Sequence, residues 1–143
     1  MPSKPSRIAQ VKRKRVKTYA ALKRELDSTF STWTRRRFAN SEGMVACICC
    51  GAVKRWQDQQ CSHFVSRSYL ATRFHPENCA PACQQCNVFK KGNLAAYAAW
   101  GVDRYGPDWP QRMVSLSRET RKYSRADLQQ MIEDYEKRIE QLS

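Results

Sequence analysis

Two Cys-x-x-Cys pairs constrain this chain more than any other feature of its sequence. They are Cys47/Cys50 and Cys83/Cys86, and all seven cysteines of the chain lie between or beside them. Thiolates at this spacing project to the same side of a turn, so two such pairs can form a closed tetrahedral site for Zn²⁺. Gly51 follows the first pair and can adopt the positive φ that such a turn needs. The pattern therefore predicts a structural zinc site with these four cysteines as its ligands.

The other three cysteines do not fit this pattern. Cys49, Cys61 and Cys79 are expected to be free thiols that pack as small hydrophobic residues. Cys47/Cys49 is a geometric rival to the first pair, but only Cys50 gives the two-residue spacer. A disulfide framework is disfavoured because the cysteine count is odd and the basic N-terminus is not followed by the apolar core of a secretory signal. A thioredoxin-like redox motif would need a βαβ pattern around one pair, which the sequence does not show.

The charge of the chain indicates the class of its partner. The 143 residues contain 26 Lys and Arg against 13 Asp and Glu, which gives a formal net charge of +13. The basic residues cluster at 12–17, 35–37 and 90–91, whereas charge kept only for solubility would be mixed in sign. Such clusters attract polyanions, so we expect nucleic-acid binding. Free thiols together with zinc indicate a reducing, cytoplasmic compartment, and no apolar run approaches the length of a membrane helix.

Apolar periodicity predicts a helix at each end of the folded part. Five apolar residues recur at intervals of three or four over residues 18–40, which is one face of an amphipathic helix. They are Tyr19, Leu22, Leu26, Phe30 and Trp33. A second helix opens at a capping box, Ser124-x-x-Asp127, and carries an apolar stripe as far as Leu142. That stripe packs either on the domain itself or on a second copy of the chain.

The middle of the chain predicts a hairpin, a long loop and a helix. We expect the hairpin to turn near residues 57–60 with His63 on its second strand, and residues 66–82 to form the loop. A helix is expected from about Cys83, with a bend or pause at Gly92 and its end at Gly101. The chain thus divides into a basic flexible tail (1–17) and one α+β domain (18–143). Its zinc and active-site core covers 44–101, and a C-terminal helical extension covers 107–142.

A zinc-pinned hairpin followed by a helix resembles the HNH, or ββα-metal, nuclease motif. That motif has a His on the second strand, an Asn in the loop, and a His or Asn early in the helix. The corresponding positions in this sequence are His63, Asn78 and Asn87. The resemblance implies that zinc is structural and that a separate Mg²⁺-type ion (Mg²⁺ or Mn²⁺) takes part in the chemistry.

Four short motifs are similar to those of the NinG (Rap) family of lambdoid phage recombination proteins. They are C-x-x-C-G at 47–51, S-H-F at 62–64, R-F-x-x-E-N at 73–78, and C-x-x-C-N-x-x-K-x-G-N-L at 83–94. The similarity covers roughly residues 18–142. It implies a structure-selective endonuclease that acts on branched DNA, such as Holliday junctions and D-loops. A symmetric junction offers two equivalent strands, so a homodimer is the expected assembly.

The chemistry of phosphodiester hydrolysis gives each residue a role. A neutral His63 can accept the proton of the attacking water near pH 7. Asn78 would orient His63 or fix its tautomer, and Asn87 offers an amide oxygen to the divalent ion. Basic side chains would hold phosphates without reading base sequence. The candidates are Arg67, Arg73, Lys90 and Lys91, together with Arg35, Arg36 and Arg37 at the end of the first helix.

One position departs from the motif. Many ββα-metal nucleases have an Asp directly before the catalytic His, and here that position is Ser62. Either Asp58 or Glu77 supplies a carboxylate by another route, or the ion is held by Asn87, water and DNA phosphate. Two rival functions remain. One is a non-catalytic zinc-ribbon DNA-binding module, which has no use for His63 beside Asn87, and the other is a sequence-specific regulator.

Overall fold

The computed structural model describes residues 16–142. The tail predicted at residues 1–17 lies outside this range except for its last two residues. The described helices are α1 Tyr19–Arg37, α2 Leu70–Arg73, α3 Leu94–Tyr105, α4 Trp109–Ser117 and α5 Arg125–Glu140. The strands are β1 Met44–Ala46, β2 Val53–Arg55, β3 Gln60–His63 and β4 Cys79–Ala82. This α+β composition agrees with the prediction, and no helix within residues 16–142 is long and apolar enough to cross a membrane.

The four strands form two separate antiparallel hairpins. In the first, Met44 of β1 pairs with Arg55 of β2, and the turn between them carries the first cysteine pair. In the second, Gln60 pairs with Ala82, and His63 pairs with Cys79. The predicted pairing of the hairpin is therefore wrong. β2 pairs with β1, and His63 is the last residue of β3, which is the first strand of the β3–β4 hairpin. The predicted loop is also shorter than expected, since its last four residues form β4.

Local geometry explains the first hairpin. The turn is closed by two backbone hydrogen bonds, from Cys47 N to Ala52 O and from Gly51 N to Cys47 O, both of 2.9 Å. Gly51 has φ +80°, which favours glycine. A 3₁₀ turn at Trp56–Asp58 then redirects the chain, so β3 leaves this hairpin and joins β4.

The two terminal helices pack against each other and form the largest apolar core. Leu26 and Phe30 of α1 meet Leu128, Ile132 and Tyr135 of α5. The Phe30 and Tyr135 rings lie edge to face, with centroids 5.0 Å apart. The predicted capping box is present. The apolar stripe of α5 is thus buried on the chain's own α1 and gives no support to a dimer contact, so a homodimer stays a prediction.

The second core lies on the other face of β3–β4. Tyr97 of α3 and Trp109 and Met113 of α4 are buried there against Ala80. The Tyr97 hydroxyl donates hydrogen bonds to the carbonyl oxygens of Ser62 (3.1 Å) and Asn78 (3.3 Å). Strand side chains alternate between faces. Ser62 therefore lies on this side, and its strand neighbours Cys61 and His63 lie on the side of α1.

The chain between β4 and α3 is not one continuous helix. A π-helical turn spans Gln85–Phe89, and Lys91, Gly92 and Asn93 then have positive φ. The predicted interruption at Gly92 is confirmed. The predicted end at Gly101 is wrong, because α3 continues to Tyr105. Gly101 is a packing residue, since a Cβ built on it would lie 2.1 Å from the buried Trp109 ring.

We expect the Gly101→Ala variant to be less stable than the wild type by about 1–3 kcal/mol, because the added methyl group overpacks the Trp109 contact. Helix propensity alone predicts the opposite sign, a gain of about 1 kcal/mol. Urea unfolding followed by tryptophan fluorescence measures the difference. Ala99→Gly, at an exposed position of the same helix, is the matched control and should cost about 0.5–1 kcal/mol. A stabilised Gly101→Ala variant would contradict the packing.

Candidate metal centre and active-site cleft

The four cysteines of the two predicted pairs converge in the structure. The sulfur atoms of Cys47, Cys50, Cys83 and Cys86 all lie within 4.8 Å of one another, and the Cys50–Cys83 separation is 3.7 Å. Four sulfurs arranged tetrahedrally around Zn²⁺, at the usual Zn–S distance of about 2.3 Å, would lie about 3.8 Å apart. The cluster therefore fits a structural zinc ion, as the sequence predicts.

Two thiols of the cluster have pKa values shifted in opposite directions. Burial acts to raise the pKa of Cys47, but the backbone N–H groups of Cys50, Cys83 and Cys49 lower it to about 7. Burial raises the pKa of Cys86 to about 12, with the neighbouring sulfurs adding to the effect although Asn93 opposes it. The Asn93 amide donates to the Cys86 sulfur over 3.6 Å. Four adjacent thiols can lose their protons together only when a bound cation balances the charge.

A polar cleft of about 330 Å³ lies between α1, β3 and the π-helical turn. It brings together four of the predicted functional residues, namely His63, Asn87, Arg35 and Arg67. The remaining lining residues come from α1 and from residues 59–61. They are Asp27, Phe30, Ser31, Gln59, Gln60 and Cys61.

The ring of His63 is held by a backbone carbonyl group. Its Nε2 atom lies 2.9 Å from Arg73 O. A carbonyl oxygen only accepts, so Nε2 carries the proton in the neutral ring and Nδ1 keeps the lone pair. Burial lowers the pKa of His63, and the Arg67 and Arg73 charges act in the same direction, against the hydrogen bond to Arg73 O and the charge of Asp27. The imidazole is therefore neutral at pH 7, and among residues 16–142 its Nδ1 atom has no hydrogen-bond partner.

The Asn78 side chain forms hydrogen bonds to the loop after His63 and none to the imidazole. It is fully buried, and its Oδ1 accepts a hydrogen bond from Val65 N at 2.9 Å. Its Nδ2 donates to Val65 O at 3.0 Å and to Thr72 O at 3.1 Å. The expected contact that sets the tautomer of His63 comes instead from Arg73 O.

Asn87 lies directly after the last cysteine of the cluster and lines the cleft. Its Nδ2 donates to Gln60 Oε1 at 2.7 Å. This bond orients the amide so that, within residues 16–142, Oδ1 stays available to a ligand. The side chain is half-buried.

Asp27 is the cleft residue that sequence reasoning missed. Its carboxylate accepts hydrogen bonds from Arg73 Nε at 2.9 Å and from the exposed Arg67 at 3.2 Å. The two carboxylates expected from the sequence do not line the cleft: Asp58 pairs with Arg55, and Glu77 pairs with Arg112. Asp27 belongs to no local motif, since only the packing of α1 against β3 brings it near His63.

The predicted phosphate-binding residues differ in how far their side chains are already bonded within the fold. Arg35 lines the cleft and donates to three backbone carbonyl oxygens, and Arg67 lines it and pairs with Asp27. Arg36 lies over the Trp56 ring, and Lys90 and Lys91 are exposed.

Arg37 and Arg73 were also predicted to bind phosphate, and the structure shows both side chains bonded within the fold. Arg37 donates to the carbonyl oxygens of Pro76 and Cys79 and lies 4.3 Å from the Trp33 ring centroid. Arg73 is only 9% exposed and is paired with Asp27. Both guanidinium groups thus have partners inside the fold, and their contact with DNA stays a prediction.

Fold and site together define an α+β protein with a four-cysteine cluster fitted to a structural metal ion and an adjoining polar cleft. The chain belongs to the NinG family, because residues 3–143 match the family model described as bacteriophage lambda NinG protein. This match confirms the family that the four motifs indicate. Neither a curated protein nor a solved structure matches the chain.

We expect Cys83→Ser to lose the metal bound by the four-cysteine cluster and to lower the free energy of unfolding by more than about 3 kcal/mol, because structural zinc contributes directly to folding. Metal content and urea unfolding measure the two effects. Cys49→Ser is the matched control, because Cys49 packs against the cluster but is not one of its four converging sulfurs, and its thiol approaches the carbonyl oxygens of Gly92 and Asn93. Equal zinc content in both variants would contradict the assignment.

Asn78→Ala should lower the free energy of unfolding by about 2–4 kcal/mol, because it leaves buried polar groups of Val65 and Thr72 without partners. Asn87→Ala, which removes one half-buried hydrogen bond, should cost only about 0.5–1.5 kcal/mol. Chemical unfolding of the two variants measures the contrast. A small effect at Asn78 would argue against its role as a brace.

Proposed function

We propose that this protein is a structure-selective DNA endonuclease that hydrolyses phosphodiesters in branched DNA, such as Holliday junctions and D-loops, with the help of a divalent cation. The observation that supports this proposal most directly is the protonation and orientation of His63. Its imidazole is neutral and is held through Nε2 in a cleft that also contains Asn87 and arginines. Membership of the NinG family, which is related to phage recombination, supports the proposal.

His63 acts as the general base in this proposal. Its Nδ1 lone pair accepts a proton from the attacking water, while Arg73 O fixes the ring through Nε2. A positioned general base contributes about 10²–10⁴-fold to the rate in typical enzymes. Asp27 and Arg73 position His63 indirectly, since their ion pair holds the segment whose carbonyl group orients the ring.

The residues of the cleft fit a hard divalent ion through oxygen. Asn87 Oδ1 is the protein ligand we assign to it, with water and DNA phosphate completing the shell, as Mg²⁺ binding commonly requires. When bound, the ion supplies charge neutralisation at the phosphate and the leaving oxygen. The Asp27 carboxylate already accepts hydrogen bonds from two arginines, so we assign it to positioning and not to the ion.

DNA contacts follow from the exposed charges. Arg67 is exposed at the cleft, although it also pairs with Asp27, and can hold a phosphate next to the scissile bond. Arg35 is half-buried and bonded to backbone carbonyl oxygens, so it adds positive charge to the cleft. Lys90 and Lys91 lie beside Phe89, whose side chain is 68% exposed. An exposed aromatic ring beside cations suits unpaired bases, which stack on such rings without regard to sequence. Both features favour recognition of DNA shape over base sequence.

One observation favours a non-catalytic DNA-binding module as a second candidate. Among residues 16–142, a single carboxylate lines the cleft, and two arginines neutralise it, which leaves little negative charge to attract a catalytic ion. That candidate predicts junction binding without cleavage at any divalent ion concentration.

The test is cleavage of a synthetic four-way junction and of a linear duplex with Mg²⁺ or Mn²⁺. We expect the wild-type chain to cut the junction in preference to the duplex. His63→Ala should bind the junction but cut it about 10²–10⁴-fold more slowly, because the base is lost. His75→Ala, at the other histidine, should cut about as fast as the wild type. Junction binding with no cutting by the wild type would favour the second candidate, and equal cutting by wild type and His63→Ala would remove His63 from the site.

The pH profile tests the same residue independently. The pKa of His63 lies below the ordinary value of 6.5, so the base is already neutral at pH 7. The cleavage rate should therefore be flat above about pH 7 and should fall in acid with a midpoint below 6.5. The unfolded chain binds the proton more tightly, so His63 also makes stability fall as the pH drops through 6.5. A midpoint of the cleavage rate above pH 6.5 would contradict the assignment of His63, with its lowered pKa, as the general base.

A further inference from the structure

Two free cysteines flank the imidazole of His63. Cys61 lies two residues earlier on β3, on the same face, and Cys79 is paired with His63 across the β3–β4 hairpin. The ligand atoms of these three residues all lie within 4.8 Å of one another. We propose that Cys61, His63 and Cys79 form a second metal site, specific for a soft divalent cation such as Zn²⁺, and that its occupancy silences His63 as a base.

The donor set is that of a known class of zinc site. Two thiolates and one imidazole give three protein ligands, an arrangement that leaves one position open. Thiolates select zinc-like ions over Mg²⁺, which prefers oxygen. The new site therefore does not duplicate the hard-ion role assigned to Asn87, although both lie at the same cleft.

The present hydrogen bonds show how a cation would replace protons. The Cys79 thiol and His63 Nε2 both approach Arg73 O, at 3.7 and 2.9 Å respectively. Ionisation of the two thiols releases two protons, and the two negative charges then balance one divalent cation. This balance matters because Cys79 is almost fully buried, where an uncompensated charge is costly.

The surroundings of Cys61 suit a thiolate. The Thr34 hydroxyl is fully buried, forms no hydrogen bond to an oxygen or nitrogen acceptor in the described part of the chain, and lies beside the Cys61 thiol. A metal-bound thiolate would accept a hydrogen bond from this hydroxyl and so satisfy it. The guanidinium groups of Arg35 and Arg37 lie close enough to favour negative charge on Cys61.

The consequence for His63 does not depend on which ring nitrogen binds. A neutral imidazole has one nitrogen with a proton and one with a lone pair. A metal ion takes the lone pair, so no acceptor remains for the proton of the attacking water. This silencing rests on the proposed function, whereas the metal site itself does not.

Metal binding is tested by cobalt titration of the full chain, kept reduced with a thiol-free reductant. Thiolate-to-cobalt charge-transfer absorption should report two equivalents per wild-type chain, the first in the four-cysteine cluster. Cys61→Ala and His63→Ala should each lose the second equivalent and keep the first, which also shows that they fold. Cys49→Ala, at a free thiol outside both clusters, should keep both. A single equivalent in the wild type, or a second equivalent that persists in Cys61→Ala, would overturn the site.

The silencing of His63 has two readouts. The ring ¹⁵N signals of His63 should shift when Zn²⁺ adds to wild-type protein already loaded with one equivalent, and should not shift in Cys61→Ala. In Mg²⁺-supported junction cleavage, the second equivalent of Zn²⁺ should slow the wild type by about 10²-fold or more, the share of a general base. Cys61→Ala should retain its own zinc-free rate.

The outcomes separate the two proposals. Equal inhibition of both proteins by Zn²⁺, or an unshifted His63 ring, would overturn the silencing. An absence of cleavage under all conditions would instead contradict the endonuclease proposal. In that case the cobalt titration and the ¹⁵N signals of the His63 ring would still test the second metal site.

Discussion

The sulfur atoms of the four-cysteine cluster bring the β1–β2 turn next to the segment that follows β4. The geometry of the candidate cleft depends on this contact. Each hairpin has only two strands of three or four residues, which is too little to be stable alone. The cysteine cluster anchors one end of β3–β4, and the α1–α5 and α3–α4 cores cover its two faces. Because Asn87 follows Cys86 directly, the cluster also fixes the position of the amide at the cleft. A metal ion bound by these cysteines would therefore act on the candidate site through geometry alone.

A second series of contacts fixes the other side of the cleft. Asp27 of α1 holds the Arg73 side chain, and the Arg73 carbonyl oxygen holds the ring of His63. The loop between His63 and Arg73 is held together by hydrogen bonds from the buried amide of Asn78. Two residues that sequence reasoning assigns to DNA and to catalysis thus work as supports. Side chains that look functional by type are often used to position a neighbour, and burial distinguishes the two uses.

Local features of this fold could be predicted from the sequence, and features set by long-range packing could not. The cysteine spacing, the α1 stripe, the capping box at Ser124 and the interruption at Gly92 each depend on a few neighbouring residues. The strand pairing depends on which segments meet after the turn at Trp56, and periodicity carries no information about that. Gly101 looked like a helix end because its contact with Trp109 was not visible in the sequence. Asp27 was missed for the same reason, since its role exists only when α1 lies beside β3.

The imidazole of His63 takes part in both of the proposals that involve a metal ion at the cleft. Burial and neighbouring arginines keep it neutral, which a general base needs and which a zinc ligand needs equally. In our proposals, the amide oxygen of Asn87 would favour a hard ion on one side, and the sulfurs of Cys61 and Cys79 would favour a soft ion on the other. Only the lone pair of His63 is shared between the two. If both proposals hold, a soft ion bound at the second site removes that lone pair, so the occupancy of that site by zinc would set the fraction of molecules able to cut, with no change of fold required.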